Sequence, residues 1–257
     1  KSIFKTELID RLKKHFKPTP YGRRVIMTTG IGESFLADKI KDWEEALPDF
    51  MSLAYLPQYG MVRLRLDARH ENEKLLQECL DNQIQKLKEI ISDYIFSYDD
   101  KPISEVIVNM LKERNLSLST AESCTGGSIA RMITSVPGCS YIYKGSVIGY
   151  DSKVKEELLN VNHDDIEKYN VVSQEVAEQM AIGARNLMNT DFALSTTGIA
   201  GPDGGTEKNP VGTVCIALAT PNEVISKRHN FGKDRQNNIE RASITALEML
   251  RQYLLKN

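Results

Sequence analysis

Apolar positions recur along this chain with two periods, three-to-four and two, and the way they alternate changes near residue 100. In the first part Leu75, Leu76, Leu80, Ile84, Leu87 and Ile91 fall at helical spacing, which predicts a helix over 71–91. Just upstream, Val62, Leu64 and Leu66 alternate with Arg63, Arg65 and Asp67, the pattern of a half-buried strand over 61–67. The same reasoning predicts a helix at 8–15, a strand at 24–29, a helix at 33–47 ended by Pro48 and a strand at 51–55. The polar stretch 97–101 marks a boundary, giving a small α/β domain over 1–97 and a second domain over 98–257.

Beyond the boundary helices and strands alternate. Asp100 can cap a helix with Pro102 near its first turn and Ile103, Val106, Ile107, Met110 and Leu111 on one face. Strands follow at 116–120, 147–150, 192–196 and 211–220. Helices are predicted at 128–136, at 153–159 with Ser152 as N-cap, from Ser173 with Val176, Ala177, Met180, Ala181, Ala184 and Leu187 inward, and at about 233–255. This alternation predicts an α/β fold class, a three-layer α/β/α sandwich with the strands between helical layers. There is no internal repeat and no low-complexity tract.

Composition narrows the partners. The 257 residues carry 33 basic and 35 acidic side chains, a formal net charge of −2, so nothing marks a nucleic-acid or membrane surface. Small molecules or other proteins are the expected partners. The four cysteines, at 79, 124, 139 and 215, form no CxxC pair and stand at no metal-ligand spacing from the histidines, which fits a reduced, cytoplasmic setting. No apolar run is long enough to span a bilayer and no signal-peptide pattern opens the chain. The chain starts at Lys1 rather than Met, so sequence upstream is expected to be missing.

Candidate chemistry begins at Ala121-Glu122-Ser123-Cys124-Thr125-Gly126-Gly127, which leads from a strand into a helix. That turn presents a small nucleophile, two glycines that let backbone approach a ligand, and helix-start N–H groups suited to an oxyanion. The plainer reading is a tight connection whose serine caps the helix. Lys155 falls at about the third position of the helix capped by Ser152, where the helix dipole favours the neutral amine that an unassisted serine needs as a base. Alternatively it is one of several solvated lysines. A glycine- and hydroxyl-rich loop, Thr196 to Gly205, exposes backbone N–H groups to anions but has neither P-loop nor dinucleotide-fold order. Arg235 stands at a helix start, where it can join those donors around a phosphate or carboxylate.

Four segments in order carry a family resemblance: Thr120 to Gly127; Tyr150 with Lys155; Ser195 to Gly205 running on through Pro210-Val211-Gly212-Thr213-Val214; and Phe231-Gly232-Lys233-Asp234-Arg235. From about 98 onward the chain resembles the C-terminal domain of the CinA family. The front part, with Thr28-Thr29-Gly30-Ile31-Gly32-Glu33-Ser34 and Tyr59-Gly60-Met61-Val62, resembles the KH-like middle domain of its longer members. The resemblance does not reach the family's N-terminal molybdopterin-binding-like domain, to which its ADP-ribose pyrophosphatase activity belongs, so that activity is not expected of these residues.

The resemblance implies a nicotinamide mononucleotide amidohydrolase that yields nicotinate mononucleotide and ammonia in pyridine-nucleotide salvage. No metal or organic cofactor is implied, and a homo-oligomer is expected. Ser123 would attack the amide carbonyl and Lys155 accept its proton, with Tyr150 and Thr125 orienting the pair. Backbone around Thr125, Gly126 and Gly127 would hold the oxyanion, and Thr196, Thr197, Gly198 and Arg235 would position the ribose phosphate. Glu122 is either a further polar partner in the site or a strand-end carboxylate engaging backbone. Because neighbours on an extended segment point opposite ways, only one of Ser123 and Cys124 is expected to face the ligand, and Cys124 reads as a small buried residue. The alternative function is a non-enzymatic interaction module associated with competence or DNA damage. Gly30-Ile31-Gly32-Glu33 lacks the Gly-x-x-Gly spacing of nucleic-acid-binding KH loops and adds a negative charge, which disfavours that role.

Overall fold

The computed structural model describes residues 8–16 and 19–257, and it divides into two units, Lys1–Asp100 and Lys101–Asn257. In the first unit the described elements are α1 (Ile9–Phe16), β1 (Tyr21–Thr29), α2 (Glu33–Glu45), β2 (Met51–Gln58), β3 (Met61–Arg69), α3 (Glu73–Ile91) and β4 (Ile95–Ser97). The strands form an antiparallel sheet in the order β2-β3-β1-β4. The alternation read on β3 sends Val62, Leu64, Leu66 and Ala68 into a core with Leu36 and Ile40 of α2 and Leu76, Leu80 and Leu87 of α3. Arg65 and Asp67, at the intervening positions, pair with each other at 2.8 Å. Helix α3 begins two residues later than the predicted start at 71 because the Asn72 side chain accepts from the Leu75 N–H and caps it. Strand β4, three residues long, is too short to leave a periodic pattern.

The second unit runs α4 (Ile103–Arg114), β5 (Leu118–Glu122), α5 (Ser128–Thr134), β6 (Tyr143–Ile148), α6 (Ser152–Leu159), α7 (His163–Tyr169), α8 (Gln174–Met188), β7 (Phe192–Gly198), β8 (Thr213–Ala219), β9 (Val224–Asn230) and α9 (Arg235–Lys256). Its sheet has the order β6-β5-β7-β8-β9, with β5 parallel to both neighbours and the last two pairings antiparallel. On one face α8 packs Val176, Ala177, Met180, Ala181 and Ala184 against Ala121, Ala193, Cys215, Ala217 and Ala219, with Leu159 and Ile166 from α6 and α7 in the same cluster. The other face carries α9, which also packs on α4 and α5, and the Tyr253 ring meets Phe192 edge-on at 5.8 Å. The strands are therefore sandwiched between two helical layers.

Several elements differ from the sequence pattern. Strand β5 lies two residues downstream of 116–120, so Glu122 is its last residue and Ser123 the first beyond it. Strand β6 ends at Ile148, which leaves Tyr150 in a loop. Helix α7, with Ile166 as its only buried residue, and β9, which carries Lys227, Arg228 and His229, are too polar to show as periodic segments. Because β5, β6 and β7 run parallel, their C-terminal ends share one edge of the sheet, where open α/β sheets hold ligands.

Candidate active site

The turn after β5 is built around a buried carboxylate. Glu122 is fully buried and its oxygens accept from the N–H groups of Gly127 at 3.0 Å, Ile129 at 3.1 Å and Ala130 at 2.8 Å, and from the Thr125 hydroxyl at 2.7 Å. It thus caps α5 from the preceding strand and places a negative charge at the positive end of that helix. Since the Thr125 hydroxyl proton goes to Glu122, its oxygen accepts from the Thr196 hydroxyl at 2.7 Å. The Ser123 N–H donates to the Thr196 carbonyl at 2.9 Å, and the Ser123 carbonyl accepts from the Gly126 N–H at 3.1 Å. Gly127, with φ 95°, adopts the left-handed conformation needed to enter the helix. These bonds fix the backbone of Ser123 on both sides.

Lys155 comes from α6, whose N-cap is Asp151 rather than Ser152: its carboxylate accepts from the Lys153 N–H at 2.9 Å. Lys155 is therefore the fourth residue of the helix, and the dipole is a lesser influence than expected. Burial is the main one. The side chain is 1% exposed, and desolvation holds its amine below the ordinary lysine value of 10.5, against a smaller upward pull from Asp151 and Cys124. Its Nζ donates to the Tyr150 carbonyl at 3.3 Å.

Ser123 and Lys155 line one cleft of about 380 Å³. The same cleft is lined by Tyr150, Thr197, Gly198 and Arg235. Arg235 is the first residue of α9, after the cap Asp234, and it donates to the Gly201 carbonyl at 2.8 Å and to the Tyr150 hydroxyl at 3.4 Å. Tyr150 is 64% exposed, and its hydroxyl pairs with Arg235 while its carbonyl takes the lysine amine. The Thr197 hydroxyl is committed to the Val171 carbonyl at 2.7 Å.

Five of the residues named from sequence stand outside the lining: Glu122, Thr125, Gly126, Gly127 and Thr196. Their polar groups hold the turn instead. The Gly126 and Gly127 N–H groups are spent on Ser123 and Glu122, so the turn amides with no acceptor in another residue among those described are those of Cys124 and Thr125. The expectation that only one of Ser123 and Cys124 faces the cleft is also corrected, since both line it. They differ in environment, because burial pushes the Cys124 thiol up to about 12 and keeps it protonated at neutral pH. Sequence reasoning missed Ser152, Asn170, Val171, Val172, Thr206 and Asn209. No sequence signal marks Asn170, since the helix before it is too polar to read and its φ of 80° with ψ 150° lies outside the left-handed helical region that asparagine favours. The described residues contain no cluster of three His, Cys, Asp or Glu able to hold a metal, and no described helix is long and apolar enough to cross a membrane.

Residues 100–254 match the family model described as CinA C-terminal domain, and residues 23–97 match the one described as Damage-inducible protein CinA KH domain. The chain belongs to the CinA family. A CinA-like protein of Flavobacterium psychrophilum is 45% identical over 258 residues, covering 100% of this chain and 62% of that protein. A second, from Cytophaga hutchinsonii, is 39% identical over 254 residues, covering 99% of this chain and 61% of its own length. The chain thus spans about three-fifths of these CinA relatives. Among solved structures, the competence/damage inducible protein CihA of Agrobacterium tumefaciens is 35% identical with a TM-score of 0.58, covering 58% of this chain and 92% of that one. A CinA superfamily protein of Escherichia coli is 30% identical with a TM-score of 0.57, covering 59% of this chain and 88% of its own.

Proposed function

We propose that the cleft hydrolyses the carboxamide of nicotinamide mononucleotide, giving nicotinate mononucleotide and ammonia. The observation that carries this reading is the presence, in one cleft, of the Ser123 hydroxyl and an almost solvent-free Lys155 whose amine is biased toward its neutral form. In the neutral amine the bond to the Tyr150 carbonyl uses one N–H and leaves the lone pair to accept a proton. Ser123 Oγ bonds to the amide carbon as its proton passes to Lys155. The C–N bond then breaks and ammonia leaves with that proton. Water attacks the resulting ester, Lys155 takes its proton, and the Ser123 oxygen departs and is reprotonated.

The oxyanion formed in both halves is assigned to the amides of Cys124 and Thr125, the turn donors with no acceptor in another described residue. Arg235, beside the loop that carries Gly198 to Gly204, supplies the cation for the 5′-phosphate. The volume suits a mononucleotide, within the ~300–1,000 Å³ common for small-molecule sites. The test is incubation of the purified protein with nicotinamide mononucleotide and assay of both products, with nicotinamide and NAD as controls. Equal amounts of ammonia and nicotinate mononucleotide are expected. Absence of both with nicotinamide mononucleotide rejects the reading.

A further inference from the structure

Arg228 lies on the edge strand β9, paired across β8 with Cys215, and is not among the residues that line the cleft. Its guanidinium nevertheless holds two neighbouring residues of the loop, one of which, Asn209, is cleft wall. Nη1 donates to Asn209 Oδ1 at 2.8 Å and Nη2 to the Lys208 carbonyl at 2.6 Å. Asn209 lines the cleft and is 3% exposed. Its Nδ2 donates to the Val172 carbonyl at 3.3 Å, and the Val172 N–H donates to Asn170 Oδ1 at 3.0 Å. A chain of hydrogen bonds therefore runs from the outer strand through Asn209 to Asn170, three of whose members form wall. At its far end Asn170 has φ 80° and ψ 150°, a backbone state costly for any residue but glycine and held only where the surroundings over-determine it.

We propose that Arg228 is a positioning residue, clamping the loop 199–212 and the segment 170–172 into the shape of the substrate cleft; its effect on turnover rests on the deamidase reading above. An exposed arginine bonded to another exposed group contributes little. Here the acceptor is a buried amide oxygen, and removing the donor leaves that oxygen without a partner inside the wall. The fork of the guanidinium serves both acceptors at once, which a lysine ammonium cannot do from a single point. Ser123 and Lys155 stand on other elements, the turn after β5 and α6, so the clamp shapes the binding wall and leaves the reacting pair in place. Interactions of that kind act equally on bound substrate and transition state and appear in KM rather than kcat.

The experiment compares the full chain with Arg228→Ala, Arg228→Lys, Asn209→Ala and the Arg228→Ala/Asn209→Ala double variant, by amide hydrogen exchange without substrate and by kinetics with nicotinamide mononucleotide. Exchange over 199–212 and 170–172 is expected to quicken about tenfold in Arg228→Ala and Arg228→Lys while α9 keeps its protection. KM is expected to rise about tenfold with kcat within about twofold, and the double variant to be no worse than the worse single one, because one chain of bonds is cut twice. Unchanged exchange in these segments overturns the clamp, and so does an additive pair of effects. Should Arg228→Ala fail to fold, Arg228→Gln gives the same comparison. A wild-type protein that releases no ammonia would reject the deamidase reading alone, since the exchange result still decides the clamp.

Discussion

Lys155 is the residue at which stability and chemistry oppose each other. Its folded-state pKa lies below the ordinary 10.5 because burial disfavours the charged form. Between those two values the unfolded chain holds a proton that the folded protein has released, so unfolding takes up a proton and stability rises with pH across that window. Below the folded value the full cost is present. Lys155→Met is therefore expected to raise Tm at pH 7 by a few degrees while abolishing ammonia release, with the gain in Tm shrinking as pH approaches 10.5; a lower Tm at pH 7 would contradict the burial argument. Legibility at this scale followed side-chain type. A serine at a strand-to-helix turn and a lysine near a helix start could be named as candidates from sequence, although each also had a plain structural reading as a cap or a solvated lysine. The inward or outward direction of their neighbours was not, since it depends on where β5 ends. A strand ending two residues later than its pattern suggested put Glu122 into the start of α5, where backbone N–H groups consume it.

At the scale of elements, the site depends on how closely α6 approaches α8. Gly183 in α8 faces the end of α6, and a Cβ there would lie 2.0 Å from the Leu159 carbonyl oxygen. Only the missing side chain lets the helices meet, and Lys155 is one turn from that contact. Gly183→Ala must push α6 outward, which is expected to cost about 3 kcal/mol and to lower Tm by roughly 6–12 °C, with a loss of turnover from a displaced amine. Thermal melts and ammonia assays on the same variant check both. That contact left no trace in the apolar pattern, which names only the inward positions of α8. The helices themselves were legible because α8 and α9 each present a continuous apolar face of several turns. Helix α7 and strand β9 were not, yet the segment after α7 places Asn170 in the cleft lining and β9 carries Arg228, which braces the lining residue Asn209.

At the scale of the molecule, each unit has its own core, and every residue lining the cleft belongs to Lys101–Asn257. Residues 101–257 expressed alone are expected to fold and to turn over nicotinamide mononucleotide within about twofold of the longer chain, the size of effect a unit outside the chemistry leaves on a rate. A loss of a hundredfold, with folding intact by circular dichroism, would place part of the site elsewhere. The two-domain division followed from the change in patterning near residue 100, because a short polar stretch separates two sets of apolar faces. The proposed chemistry turns on which atom attacks the amide, and it is tested by ammonia release from nicotinamide mononucleotide by Ser123→Ala and Cys124→Ala, measured side by side with the unaltered protein. No release is expected from the first variant and most of the original rate from the second; release that survives loss of the serine hydroxyl, or disappears with the thiol alone, would rule out attack by Ser123.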